Sequence, residues 1–166
     1  MVERKIIVDH LTIAYKGLFD LTELYKLIDF FFMEKGYTKH ELKNYETVMS
    51  GGKVIHIEKE PYKKITDYAK YITKVYVDGS DIQDVEVEKN GVILKLNQGE
   101  IKVAIIGTME TDYEKRWEAK PIFFFLRGVF DRFVFRVHTY KFEVGLVEEC
   151  NQLASHIKGF LNLYRY

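Results

Sequence analysis

The residues of this chain that could do chemistry near neutral pH are five histidines, one cysteine and a scatter of carboxylates. His10, His40, His56, His138 and His156 lie far apart, with no two at a metal-ligand spacing. The one cysteine, Cys150, rules out an intramolecular disulfide and any multi-cysteine metal site. It falls on the apolar face of a helical pattern, where a thiol serves as a small hydrophobe. His56 sits between Ile55 and Ile57 in an alternating run, so a strand would turn its imidazole to the opposite face. If that face lined a cavity, His56 could act as a general base; if it met solvent, His56 would be a solvated strand residue. There is no G-x-S-x-G, no P-loop and no G-x-G-x-x-G. Asp78-Gly79-Ser80-Asp81 resembles part of a calcium loop, lacks its ligand spacing and terminal Glu, and reads as a turn. No catalytic residue, metal or cofactor is assigned, and the reading leans away from an enzyme.

Aromatic residues offer a different chemistry. Twelve Phe, twelve Tyr and one Trp make up 15% of the chain, and those rings must fill a core, line a cavity or coat a contact surface. Tyr68, Tyr71, Tyr76, Tyr113, Trp117, Phe123, Phe130 and Phe160 could line a pocket, with His56 and Glu110 as its polar groups. The competing reading is a filled core. A second candidate is residues 122–137, where Phe124, Phe125 and Phe135 stand among Arg127, Arg132 and Arg136. Rings beside arginines suit an acidic membrane surface, a nucleic acid or a protein partner. The alternatives there are that the rings pack against another element, or that the segment is partly strand.

The elements that must position these residues follow from periodicity. Residues 4–16 alternate, with Leu11, Ile13 and Tyr15 on one face, and predict a strand. Asp20, with Glu23 three residues on, caps a helix whose stripe is Leu21, Leu24, Tyr25, Ile28, Phe31 and Phe32. Leu27 and Phe30 widen that stripe, which predicts cover on more than one side, and Gly36 ends the helix. Runs 42–49 and 53–60 flank Ser50-Gly51-Gly52 as a hairpin. Residues 65–77 read as a strand ending at Asp78-Gly79-Ser80-Asp81. Val85 and Val87 lead to Asn90-Gly91, a strong hairpin signal. Val92, Leu94 and Leu96 alternate up to Asn97-Gln98-Gly99, and a further strand follows from Ile101. Residues 122–137 favour a helix over a strand. The tail, residues 141–164, places Val147, Cys150, Leu153, Ala154, Ile157, Phe160, Leu161 and Tyr164 on one helical face.

Length and charge bound the rest. The 166 residues predict one domain spanning 1–166, without linker or repeat. Hydrophobic residues at 47% and charged residues at 30% exclude a disordered chain. A formal net charge of zero gives no global field toward nucleic acid or membrane, and only residues 113–166 lean basic. The start, Met-Val-Glu-Arg-Lys, has no apolar stretch behind its charges, and the apolar run 122–126 stops at Arg127. No secretory signal and no transmembrane segment are expected, so a cytoplasmic protein is. Oligomeric state is left open.

The order strand, helix, antiparallel meander and long terminal helix makes an α+β chain with about six to seven strands. This order resembles the helix-grip fold of the START, Bet v 1 and polyketide-cyclase-like superfamily. The local likeness runs from Lys120-Pro121 through Phe123-Phe124-Phe125-Leu126-Arg127 to Gly145-Leu146-Val147. It departs from that superfamily in reading as one long helix in the first connection. The resemblance implies a curved sheet wrapping the terminal helix, with a cavity between them. The expected function is therefore non-enzymatic binding of a hydrophobic small molecule or lipid. The alternative is a module that docks on a protein, nucleic acid or membrane through residues 122–137.

Overall fold

A computed structural model describes residues 3–111, 129 and 136–163. The alternating runs form one antiparallel sheet: β1 (Glu3–Phe19), β2 (Glu41–Met49), β3 (Gly52–Lys59), β4 (Tyr62–Lys64), β5 (Ala69–Lys89) and β6 (Val92–Thr111). The strands lie in the order β1-β6-β5-β3-β2, and β4 pairs with β5. Two helices accompany them, α1 (Leu21–Glu34) after β1 and α2 (Arg136–Asn162) at the end. The chain is thus α+β, with a six-stranded antiparallel sheet and a C-terminal helix.

Two expected breaks in the meander are not breaks. Asp78-Gly79-Ser80-Asp81 is no turn: β5 runs straight through it, with a register shift between Ser80 and Gln83. Asp81 takes up the extra residue at φ 53°, which bends the strand without reversing it. Three glycines from three strands make room for the bulge. A Cβ on Gly99 would lie 3.0 Å from the Ser80 and Asp81 carbonyl oxygens, one on Gly52 2.8 Å from the Asp81 carbonyl carbon, and one on Gly79 2.4 Å from Ile82 Cδ1. Asn97-Gln98-Gly99 likewise lies inside β6. The reversal falls at Asn90-Gly91, where both residues have positive φ, 52° and 76°. The meander therefore has fewer and longer strands than its turn-like residues suggest.

Both helices lie on one face of the sheet. Alternation sends Ile13 of β1, Ile55 and Ile57 of β3, Tyr71, Val75 and Val77 of β5, and Ile101, Val103, Ile105 and Met109 of β6 to that face, and all are buried. α2 lays Leu146, Cys150, Leu153, Ala154, Ile157 and Leu161 on it, each at most 4% exposed. Gly107 lies directly beneath α2, where an added Cβ would stand 3.0 Å from Cys150 Sγ and 3.2 Å from Leu146 Cγ. Gly145 of α2 leaves room for the Tyr71 hydroxyl, which donates to the Phe142 carbonyl at 2.5 Å. α1 begins as its sequence predicts, with the Asp20 carboxylate accepting from Glu23 N at 3.0 Å. Glu23 does not complete the reciprocal capping box; its carboxylate takes Lys26 Nζ at 2.8 Å. α1 buries Leu24, Ile28, Phe31 and Phe32, and meets α2 where Phe31 packs edge-on against His156 at 5.5 Å. Phe30 is not covered, at 60% exposure.

The helix expected over residues 122–137 falls mostly outside the described residues. Val129 is helical and 43% exposed, and Arg136 opens α2.

Candidate functional site

A buried lysine gathers two carboxylates between α1 and the end of β3. Lys59 shares its face with Ile55 and Ile57, so alternation carries its side chain inward, to 3% exposure. A lysine so placed must be paired. Its ammonium is bonded to the Asp29 carboxylate of α1, lies 3.3 Å from the centre of the Tyr25 ring, and is 3.7 Å from Glu41 Oε2. Asp29 also accepts from Lys39 Nζ at 2.6 Å, and the Tyr25 hydroxyl donates to Glu41. The spacing Tyr25, Asp29 on α1 is i,i+4, which sets ring and carboxylate on one side of the helix.

This network forms one side of a recess of about 520 Å³, within the range of small-molecule sites. Its apolar walls are Phe30, Phe32, Met33, Tyr37 and Pro61, and its polar groups are Asp29, Lys59, Lys26, Lys39 and His40. Phe30 and Met33 stand at the rim, 60% and 66% exposed, although each is large and apolar. Burial lowers the Lys59 ammonium below the usual lysine range, an effect that the hydrogen bond and charge of Asp29 and the charge of Glu41 only partly offset. For Asp29, burial alone would raise the carboxyl, but hydrogen bonds from Lys39 and Lys59 outweigh it and hold it below the usual range. Glu41 is lowered in the same way, with burial overcome by Tyr25, Asn44 and the two lysines. Tyr25 is raised by burial and by its bond to Glu41.

On the opposite face of the sheet, one cross-strand row runs Tyr45, His56, Asp78, Lys102, Ala14. His56 Nδ1 lies 2.5 Å from Asp78 Oδ1, and the imidazole sits between the Tyr45 and Tyr76 rings at 5.2 and 6.5 Å. Tyr45, His56, Asp78, Lys102 and Ala14 border a second recess of about 670 Å³, with Lys16, Glu100 and Ser80. This face also carries Lys–Glu pairs, Lys43–Glu58 at 3.3 Å, Lys74–Glu60 at 2.9 Å and Lys16–Glu100 at 2.6 Å. Such exposed pairs are screened by water and add little to stability.

The expected pocket residues are not gathered in one place. His56 and Glu110 face away from α2, and Glu110, 5% exposed, is bonded by Arg4 at 3.0 Å and Lys70 at 3.4 Å. Tyr71 faces α2, Phe160 is a half-buried residue of α2, and Tyr68 is half-buried just before β5. Trp117 and Phe130 lie outside the described residues, as do Phe124, Arg127 and Arg132; Arg136 is described only as the first residue of α2. The α1 recess is not among the expected sites, although the inward face of Lys59 is readable from Ile57 and Ile55, two and four residues earlier.

A third polar group centres on Glu149, a half-buried residue of α2. Glu149 accepts from the Tyr37 hydroxyl at 2.6 Å and from Lys63 at 2.8 Å, tying the helix to the segments before β2 and at β4. Burial raises the Tyr37 hydroxyl, and burial pushes the neighbouring Cys150 thiol up to about 12. Among the described residues, no group of three or more His, Cys, Asp or Glu could hold a metal ion, and no helix is long and apolar enough to cross a membrane. The chain matches no protein-family model, no curated protein and no solved structure.

Proposed function

We propose that this chain is a helix-grip-like binding domain that holds an apolar small molecule or lipid, and that the site is the recess between α1 and β3. One observation carries the reading. About 520 Å³ of space is walled by Phe30, Phe32, Met33, Tyr37 and Pro61, with two large apolar side chains left exposed at its rim. Exposed rings and thioethers around a concave site favour an apolar occupant, because covering them removes apolar area from water. Lys59, Asp29 and Lys39 are fixed by one another, so they orient a polar end of the ligand rather than react with it. The site therefore lies beside α1 rather than between sheet and α2, where the helix-grip resemblance alone would put it.

Solvent extraction of the purified protein with mass spectrometry tests this, alongside binding of a neutral apolar fluorophore. Phe30→Glu and Met33→Glu alter exposed residues, so the fold should stand while extracted ligand and fluorophore binding both fall at least tenfold. An empty protein whose fluorophore binding survives both changes would end the proposal.

A second reading is favoured by the His56–Asp78 contact alone. With its Nδ1 proton shared with Asp78, His56 has Nε2 as its basic nitrogen, the arrangement of a general base held by a carboxylate. Turnover of ester or phosphoester substrates that vanishes in His56→Gln would support it. Absence of turnover, or turnover indifferent to the change, would remove it.

A further inference from the structure

The two edges of the sheet are built differently. β1, at one edge, is interrupted by two register shifts, between Ile6 and Val8 and between Val8 and Leu11, with His10 at φ 46°. Such irregularities blunt an edge against pairing with another chain. β2, at the other edge, keeps an unbroken register with β3 from Lys43 to Met49 and contains no proline. Among the described residues β3 is its one partner strand. Its large apolar side chains are also exposed: Leu42 at 41%, Tyr45 at 53%, Val48 at 73% and, at its end, Met49 at 58%.

Leu42, Tyr45 and Val48 are spaced symmetrically about Tyr45, and that spacing points to a second copy of the same strand as the occupant. Antiparallel pairing of β2 with an identical strand must keep each residue on its own face, so the pairing can centre on Asn44, Tyr45 or Glu46 but not between residues. Centred on Glu46, it sets two carboxylates opposite each other, and centred on Asn44 it sets Leu42 against Glu46. Centred on Tyr45, it sets Tyr45 against Tyr45, Leu42 against Val48 twice, Lys43 against Thr47, Asn44 against Glu46 and, at the ends, Glu41 against Met49, with no like charges opposed.

We propose that β2 pairs with β2 of a second copy of this chain, antiparallel and centred on Tyr45, to join the two sheets into one. The interface is a single nine-residue strand pair, smaller than a standard interface, so the dimer is reversible. None of residues 41–49 lines the α1 recess, so the pairing does not depend on ligand binding there.

The register gives a sharp test. Cys150 is buried and does not compete in cross-linking. Under mild oxidation Tyr45→Cys should yield a covalent dimer and Asn44→Cys should not, because residue 44 faces residue 46 in this register. Light scattering over about 1–500 µM should show wild type passing from monomer to dimer, as expected of an interface below the usual size. Tyr45→Lys, which opposes two ammoniums at the two-fold axis, should weaken that association at least tenfold with an unchanged circular dichroism spectrum. A monomer at every concentration, equal cross-linking of both cysteine variants, or association indifferent to Tyr45→Lys would overturn the proposal.

Discussion

Replacing Lys59 by Met keeps most of the buried stem and removes the ammonium that three other groups address. The loss is bounded from the structure. Lys59 is 3% exposed, whereas its partners Asp29 and Glu41 are 23% and 26% exposed, and Asp29 keeps Lys39 at 2.6 Å. Breaking a fully buried pair costs roughly 3–5 kcal/mol, and partial hydration of both carboxylates together with the remaining lysine reduces this. Loss of the ammonium over the Tyr25 ring adds to it, and relief of Lys59 desolvation subtracts, for a net destabilisation of about 1–3 kcal/mol at pH 7. The pH dependence is more diagnostic than the size. In the wild type both carboxyls lie below their ordinary values, so the folded state binds fewer protons than the unfolded state as pH falls. Their stabilisation is complete above about pH 5, where the unfolded carboxyls are ionised, and is lost as pH drops through the folded values. Lys59→Met removes part of that depression, so it loses less on acidification and the two stabilities converge. Urea denaturation of both proteins from pH 7 to pH 3 measures this. Equal stability at pH 7, or a gap that stays constant down to pH 3, would refute the account of the network.

Three further outcomes follow from packing and capping. Gly107→Val places new carbons where a Cβ already meets Cys150 Sγ at 3.0 Å and Val8 Cβ at 3.3 Å, so denaturation should show a loss of about 1–3 kcal/mol from overpacking beneath α2. Cys150, buried and with its thiol pushed up to about 12, should react with a thiol reagent at pH 8 only as fast as the protein opens, and instantly in denaturant. A free rate in the native protein would contradict its place in the core. Asp20→Ala removes the cap on Glu23 N and should cost about 0.5–2 kcal/mol, read as a lower melting temperature.

What could be read from the chain in advance was what depends on period. The helical stripe from Val147 to Leu161 found α2 and its buried face, and alternation around Leu11 and Ile13 found β1. Asp20 as cap and Asn90-Gly91 as hairpin were legible because their local backbone chemistry has one common use. Asp78-Gly79-Ser80-Asp81 was misread because glycine and aspartate serve a bulge as well as a turn. What decides between them is Gly52 and Gly99, which come from other strands. The orientation of His56 followed from its neighbours, but its carboxylate partner depended on a cross-strand register that no single strand encodes. The α1 recess was hidden for a related reason. Phe30 looked like part of a wide buried stripe, and only the relative placement of α1 and β3 shows it left uncovered at the mouth of a recess.

The chain's methionines provide the most direct test of where a ligand sits. Met33 stands at the rim of the α1 recess, Met109 is buried on the sheet face beneath α2, and Met49 is exposed at the end of β2. Methyl-labelled protein titrated with a spin-labelled apolar probe should lose the Met33 signal first and saturably, while Met109 and Met49 persist. Prior loss of Met109 would place the ligand between sheet and α2, and equal loss of Met33 and Met49 would mean surface adsorption; either result contradicts a binding site beside α1.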